Sequence, residues 1–321
     1  MISDDLDGTT FLGYTPDNLN RNLLSGFVQD KYAVIPDKLF LTLGSKFEHN
    51  DYTGFELQPN ARVSYLIDNN QTVWGSVSRA VRTPSRGEDG INALLQTFPA
   101  GFLSPTAPAG VVRNFGTTSI DSESLIAYEA GYRIQPSKKL SFDIAGFYND
   151  YFNLRTVDLG TPFVSGGQFT VPTFLVNNGY GESYGIELAN NYDVTEKWRI
   201  SSAYTFLVTT LHLNSGSSDT TTQLDEGRSP KNQFNIASHY NFNREWEMDN
   251  ILYYVDNLSK ASVPTYFRFD TRIGWKPLDN LELSLVGQNL FDNNHPEFNE
   301  NLFASPSQAP RSIYGKATWS F

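Results

Sequence analysis

The sequence predicts an all-β protein, an antiparallel up-and-down β-barrel that crosses a membrane. Three observations indicate this fold. Apolar and polar residues alternate along repeated segments of about ten residues, the length that a tilted strand needs to cross the hydrocarbon core. Tight turns alternate with longer loops, as a meander through a bilayer requires. Of the 5 tryptophans, four fall close to tight turns and Trp319 falls close to the C-terminus, which places all of them at the same boundary of the membrane.

The composition agrees with a strand-rich membrane protein. Apolar residues make up 39% of the chain, charged residues 18% and aromatic residues 14%, with 23 Phe and 17 Tyr. Phe and Tyr favour strands. The mean hydropathy of -0.38 would suit a soluble protein, but alternation of lipid-facing and lumen-facing residues dilutes the signal of a spanning strand. No apolar run is long enough for a transmembrane helix.

Several classes of function are disfavoured by composition. The absence of Cys excludes disulfides, thiolate catalysis and cysteine zinc sites. The net charge of -11 argues against nucleic acid as a partner. No Ser-His-Asp or carboxylate pair has a convincing spacing, so we expect no enzyme and no cofactor. The first residues lack the features of a signal peptide, so we expect a mature form or a fragment.

The alternation defines which residues form each strand. It is clearest in 39–48, 140–149, 198–208 and 266–275. A slip of one residue would exchange the two faces, so the pattern fixes which side meets lipid. The predicted strands are 22–32, 38–48, 57–67, 71–80, 123–134, 139–152, 180–192, 197–209, 231–243, 246–256, 264–276, 280–290 and 311–321.

The connections between these strands are sorted by length. The predicted tight turns are 35–37, 68–70, 136–138, 194–196, 243–245 and 277–279. The predicted longer loops are 49–56, 81–122, 153–179, 210–230, 257–263 and 291–310. Outer-membrane barrels have short periplasmic turns and long extracellular loops. The periplasmic ends of the strands would then carry an aromatic girdle of Trp74, Trp198, Trp246, Trp275 and Trp319.

Four motifs in this chain resemble the TonB-dependent outer-membrane receptors, which import scarce nutrients. They are Ser78-Arg79-Ala80-Val81-Arg82-Thr83-Pro84-Ser85, Tyr184-Gly185-Ile186-Glu187-Leu188, Gly287-Gln288-Asn289-Leu290-Phe291-Asp292 with His295-Pro296-Glu297-Phe298, and the ending 310–321. In this ending, the side chains that share one face resemble the signal read by the barrel-assembly machinery. They are Ile313, Gly315, Ala317, Trp319 and Phe321.

The resemblance implies a 22-stranded barrel preceded by a plug domain and an energy-coupling box. Neither the plug nor the box is found here, and about 13 strands are predicted, an odd number that a bacterial barrel does not have. We therefore expect residues 1–321 to be the C-terminal part of the barrel domain, without the plug. The implied partners are outer-membrane lipid, a nutrient chelate (siderophore, haem or cobalamin), the barrel-assembly machinery, and the TonB complex through the missing plug region.

Candidate ligand contacts lie at the outer ends of the predicted strands. Arg79, Arg82 and Arg86 are candidates to meet an anionic siderophore, the alternative being ion pairs with lumen carboxylates such as Glu129. The loop aromatics either stack on a chelate or pack loop against loop. They are Phe98, Phe102, Phe115, Phe163 and Phe174.

Metal sites are disfavoured by the sequence. The 4 His residues have no metal-binding spacing, and Asp292, Glu297 and Glu300 lack the pattern of an EF-hand calcium loop. We therefore expect no resident metal in this chain.

Two other functions stay open at this point. One is a passive outer-membrane porin, which a plug encoded upstream would exclude. The other is a secreted soluble β-sandwich or propeller that acts as a binding module, which a requirement for detergent would exclude. For a receptor, we expect the substrate to be a ferric siderophore. The loop sequences contain no motif that identifies a particular substrate.

Overall fold

The computed structural model describes residues 2–5, 11–102, 105–106, 108–165, 168–299 and 305–321. These residues include two short helices, α1 (Arg86–Gly90) and a 3-10 helix (Thr222–Gly227). The strands are β1 (Ile2–Asp5), β2 (Leu12–Tyr14), β3 (Asn18–Arg21), β4 (Leu23–Ile35), β5 (Leu39–Asn50), β6 (Gly54–Asp68), β7 (Gln71–Arg82), β8 (Ile91–Phe98), β9 (Gly110–Phe115), β10 (Glu123–Ser137), β11 (Leu140–Leu159), β12 (Phe163–Ser165), β13 (Gln168–Thr195), β14 (Trp198–Leu213), β15 (Asn232–Asn241), β16 (Trp246–Val255), β17 (Tyr266–Leu278), β18 (Leu281–Gln288), β19 (Asn294–Phe298), β20 (Ser307–Pro310) and β21 (Ser312–Trp319).

Long antiparallel strands form one continuous meander, and every predicted strand is among them. The pairing order is β4, β5, β6, β7, β10, β11, β13, β14, β15, β16, β17, β18 and β21. Within the described residues, β4 and β21 each pair on one side only. The chain therefore forms a partial barrel, which confirms the predicted all-β fold class.

The sheet has one apolar and one polar face. Phe142, Ile144 and Phe267 remain 39%, 44% and 48% exposed on the apolar face. On the polar face, one Nη of Arg272 lies 2.7 and 2.8 Å from the carboxylates of Glu247 and Asp249. This arrangement excludes a β-sandwich, because a second sheet would bury the apolar face.

The two ends of the sheet differ in their connections. All six predicted tight turns lie at one end, where successive strands are separated by two to four residues. The opposite end, called the outer end below, carries the long loops. No helix in the described ranges is long and apolar enough to cross a membrane.

The prediction of a longer loop at 49–56 is wrong, because β5 and β6 are joined by residues 51–53 alone. The side chain of Asn50 accepts hydrogen bonds from the backbone N–H groups of Tyr52 and Thr53, each at 2.9 Å. Gly54 then adopts a φ of 77°, which glycine tolerates without steric cost. The side-chain-capped turn thus closes the hairpin early.

Several predicted loops contain regular structure. The 81–122 loop holds α1, β8 and β9, and much of the 153–179 loop continues β11 and β13. Strand β13 pairs with β9 in parallel, from Phe169 opposite Gly110 to Phe174 opposite Phe115. Strands β2, β8 and β9 thereby extend the barrel sheet beyond its outer end. The predicted 291–310 loop likewise holds the hairpin of β19 and β20.

The tryptophans lie at the turn ends of their strands but not all on one face. Trp246 and Trp275 stack with ring centroids 5.6 Å apart on the apolar face. Trp198 and Trp319 share that face with Ile200 and Ile313. Trp74 instead lies on the polar face, beneath the guanidinium of Arg62 at 4.1 Å and against Gly131. That the tryptophans form a girdle at the membrane boundary therefore stays a prediction. Trp74 faces away from the apolar face of the sheet.

The C-terminal strand presents its apolar side chains outward. Ile313 and Trp319 are exposed on the face that also carries Leu285 of β18. Gly315 and Ala317 lie between them in the alternation, and Phe321 is fully exposed beyond the strand. Recognition of this strand by the barrel-assembly machinery stays a prediction.

Gly185 is a position where a side chain would not fit. A Cβ there would meet the backbone carbonyl oxygen of Phe206 and, at 2.7 Å, the ring of Phe147. We expect Gly185→Ala to destabilise the folded barrel by about 1 to 3 kcal/mol through overpacking. The fraction of protein that resists unfolding in SDS at room temperature measures this loss. Gly146→Ala is the matched control, since its Cβ would lie 3.8 Å from the nearest atom, and equal behaviour of both variants would contradict the prediction.

Candidate ligand-binding site

The outer end of β7 leads directly into α1, which is held by its own capping residues. The Ser85 side chain accepts a hydrogen bond from the Glu88 backbone N–H at 3.3 Å, and the Glu88 carboxylate accepts one from the Ser85 N–H at 2.7 Å. This reciprocal pair is a capping box, which fixes the start of a helix. The spacing Ser85-x-x-Glu88 is visible in the sequence and is a local signal for the start of this helix.

Glu88 is the centre of an ion-pair cluster. Its carboxylate is 3% exposed and accepts hydrogen bonds from Arg82 at 2.7 and 3.1 Å and from Arg155 at 3.2 Å. Glu123 accepts from the Arg82 Nε at 2.5 Å and from the Arg155 backbone N–H at 2.8 Å. The two arginine side chains stay 50% and 49% exposed. Two guanidinium groups are therefore presented to solvent above a hidden carboxylate.

The Glu88 carboxyl stays ionised at pH values well below those at which a glutamate side chain usually takes up a proton. Burial alone would raise its pKa, but hydrogen bonds from Arg82 and Ser85 outweigh burial and lower the pKa to about 2. The ion pairs thus stabilise the outer end fully above the unfolded pKa of 4.5 and lose that effect as pH falls towards 2. The cluster is consequently intact at any physiological pH.

This shift gives a direct test. We expect the side-chain carboxyl ¹³C resonance of Glu88 to titrate with a midpoint near 2, well below that of an exposed glutamate. The resonance is assigned by its loss in the Glu88→Gln variant. A midpoint of 4 or above would contradict the ion-pair geometry.

The other two predicted arginines are turned towards the backbone. Arg79 donates to the carbonyl of Leu57 at 2.5 Å and lies 3.7 Å from the Glu56 carboxylate. Arg86 donates to the carbonyl of Pro16 and lies over the ring of Tyr14 at 5.2 Å. The structure therefore does not bring them together with Arg82. Arg155, which sequence reasoning missed, takes that place.

The loop aromatics pack mainly against one another. Phe98 is 5% exposed, and its ring centroid lies 6.1 Å from that of Phe102 and 6.3 Å from that of Phe169. Phe115 lies 5.8 Å from Phe174 across the parallel pairing. Phe98 and Phe115 thus join the 91–115 hairpin to β13, while Phe102 remains exposed.

Comparison with known proteins decides the family. A family model described as "TonB dependent receptor-like, beta-barrel" matches residues 2–290. This chain belongs to the TonB-dependent receptor family. The resemblance seen in the motifs is confirmed, and this receptor barrel lies in the bacterial outer membrane. TonB-dependent receptors are transporters and not enzymes.

Relatives and solved structures agree with this assignment. The iron-regulated outer membrane virulence protein of Vibrio cholerae serotype O1 is 24% identical over 294 residues, 86% of this chain and 41% of that protein. The chain thus spans about two fifths of that relative's length. The ferric enterobactin receptor PfeA of Pseudomonas aeruginosa superposes with a TM-score of 0.71 at 15% identity, covering 95% of this chain and 46% of PfeA. The siderophore receptor PirA of Acinetobacter baumannii superposes with a TM-score of 0.72 at 14% identity, covering 95% of this chain and 46% of PirA.

Two histidines of the receptor barrel each lie beside a carboxylate. His295 is 4% exposed, stacks on Tyr266 at 4.2 Å and lies 3.1 Å from the Glu297 carboxylate. His239 pairs with Asp249 at 2.8 Å on the polar face. In the part of the chain that the structure describes, no group of three or more His, Asp or Glu side chains could hold a metal ion. Glu300, a residue of the calcium alternative, lies outside the described residues.

Proposed function

We propose that this barrel is part of a receptor that imports a ferric siderophore across the outer membrane in an energy-coupled way. The observation that carries the proposal is the pair of half-exposed arginines, Arg82 and Arg155, at the extracellular end of the polar face. Planar guanidinium groups match the paired oxygens of catecholates and carboxylates, the groups with which many siderophores chelate iron. The similarity to an iron-regulated outer membrane virulence protein and to a siderophore receptor supports the same substrate class.

The proposed route follows the two faces of the sheet. The apolar face contacts outer-membrane lipid, and the polar face lines the passage. In this proposal, residues 1–321 form the C-terminal part of the barrel domain, and a plug region outside this sequence closes the lumen and contacts the TonB complex. The barrel-assembly machinery would insert the barrel through its final strand. Haem and cobalamin are the alternative cargoes.

Uptake in cells tests the proposal. Cells that express the complete gene should accumulate ⁵⁵Fe from a ferric siderophore, and cells that lack the gene should not. Accumulation should stop when tonB is deleted or the proton gradient is collapsed. Uptake that persists without energy would identify a passive porin instead, and absence of uptake for catecholate, carboxylate and hydroxamate siderophores would overturn the proposal.

A further inference from the structure

The ion-pair cluster at the outer end contains a competitor for any anionic ligand. Glu88 occupies the guanidinium donors of Arg82 at 2.7 and 3.1 Å and of Arg155 at 3.2 Å. A ligand arriving from outside meets the half-exposed arginines first, because Glu88 is almost fully covered. An anion that uses the same N–H groups, two of Arg82 and one of Arg155, has to take them from Glu88.

Displacement of the Glu88 carboxylate from the two arginines costs free energy, because Glu88 is buried. A buried carboxylate without its cationic partners is strongly destabilising. Only a ligand with enough negative charge to satisfy both guanidinium groups can offset that cost. A neutral ligand gains nothing from displacing Glu88, because it has no charge to exchange.

The backbone around Glu88 links this exchange to the outer sheet. The Glu88 carbonyl accepts from the Thr117 N–H at 2.9 Å, and α1 continues directly into β8. Gly116 is packed so tightly against α1 that a Cβ there would lie 2.6 Å from the Gly90 nitrogen. We expect a Glu88 that loses its partners to move towards water together with α1, away from residues 116 and 117.

We propose that Glu88 is a built-in competitor anion that restricts the Arg82 and Arg155 pair to ligands carrying several negative charges. This inference rests on the proposed function and assigns a charge class to its substrate. Glu88 sets the selectivity, and release of α1 accompanies binding. Glu123 takes a supporting part, since it keeps Arg82 and the Arg155 backbone in place.

Two iron chelates that differ in charge test the proposal on the receptor purified from outer membranes. Ferric enterobactin, with three doubly deprotonated catecholates on Fe³⁺, carries a charge of about -3, and a ferric trihydroxamate is neutral; both follow from simple charge counting. Glu88→Gln should bind ferric enterobactin roughly fivefold or more tightly than the wild type, because the competitor is gone. Its affinity for the trihydroxamate should not change.

Asp89→Asn is the matched control. Asp89 lies on the same helix and is also buried, but its partner is Arg21 at 3.1 Å. If Asp89→Asn tightens binding as much as Glu88→Gln, loosening of the helix is the cause and the proposal is overturned. Unchanged or weaker binding of ferric enterobactin by Glu88→Gln overturns it too, while the proposed function stands. A wild-type receptor that binds no ferric siderophore would refute the proposed function instead.

Hydrogen exchange of the wild-type receptor provides a test that needs no variant. The Asp89 N–H bonds the Ser85 carbonyl at 3.1 Å, and the Thr117 N–H bonds that of Glu88. Both amides should exchange faster when ferric enterobactin is bound. Their exchange rates should not change when the trihydroxamate is added. Equal exchange under both conditions would overturn the release of α1.

Discussion

Replacement of both Arg82 and Arg155 by glutamine is expected to weaken the binding of ferric enterobactin by about 100-fold. A hydrogen bond to a charged group contributes about 1.5 to 3 kcal/mol, and about 1.4 kcal/mol corresponds to a tenfold change in Kd. Two guanidinium groups that transfer from Glu88 to the ligand retain part of that gain. The Kd of the purified receptor, measured by quenching of tryptophan fluorescence, checks the prediction.

The double variant leaves the Glu88 carboxylate without a cationic partner. The loss of stability that this causes has to be separated from the loss of ligand contacts. Breaking a buried ion pair costs about 3 to 5 kcal/mol, enough to disorder α1. The triple variant with Glu88→Gln removes the stranded charge and keeps the shape of the cluster. We expect the triple variant to bind as weakly as the double variant. If binding returns to the wild-type level in the triple variant, the arginines serve only to neutralise Glu88.

The barrel strands could be predicted from the sequence because two different solvents act on them. Lipid on one side and the lumen on the other force a period of two, and the alternation in 140–149 and 266–275 agrees with the exposure of Ile144 and Phe267 on the apolar face. Strand limits also agree closely, as in 231–243 against Asn232–Asn241. Tight turns then fix where each strand reverses.

The outer end was less predictable because its pairings are long-range. The parallel contact between β9 and β13 joins residues about sixty positions apart, and no local period reveals it. Gly and Pro in 153–179 suggested a loop, although the run Thr173-Phe174-Leu175-Val176 favours a strand. Arg155 follows an irregularity in the pairing of β11 with β13, so alternation could not assign its face.

The candidate site illustrates the same limit. The sequence placed Arg79, Arg82 and Arg86 together by their spacing, yet only Arg82 reaches the cluster. Arg86 is drawn to Pro16 and Tyr14, which are distant in sequence. The capping box of Ser85 and Glu88 was the one local signal that could have located α1.

A charge placed on the apolar face is expected to have the second largest effect. Leu188 of β13 lies on that face. Its register partners are Ile144 in β11 and Tyr204 in β14. Tyr204 is six residues beyond Trp198 at the turn end, so this row lies near the middle of the membrane. Leu188→Arg should destabilise the barrel in lipid vesicles by about 2 to 4 kcal/mol. The midpoint of guanidinium unfolding measures the loss.

The neighbouring position provides the control that ties this cost to lipid. Ala189 points to the polar face, and its register partners are Asp143 and Ala203, one a carboxylate and the other small. Ala189→Arg introduces the same charged side chain one residue away, but towards a wet surface with an acidic neighbour. We expect it to change the unfolding midpoint little. Similar losses for both variants would mean that both faces meet the same environment, in which case the assignment of lipid and lumen sides would have to be abandoned.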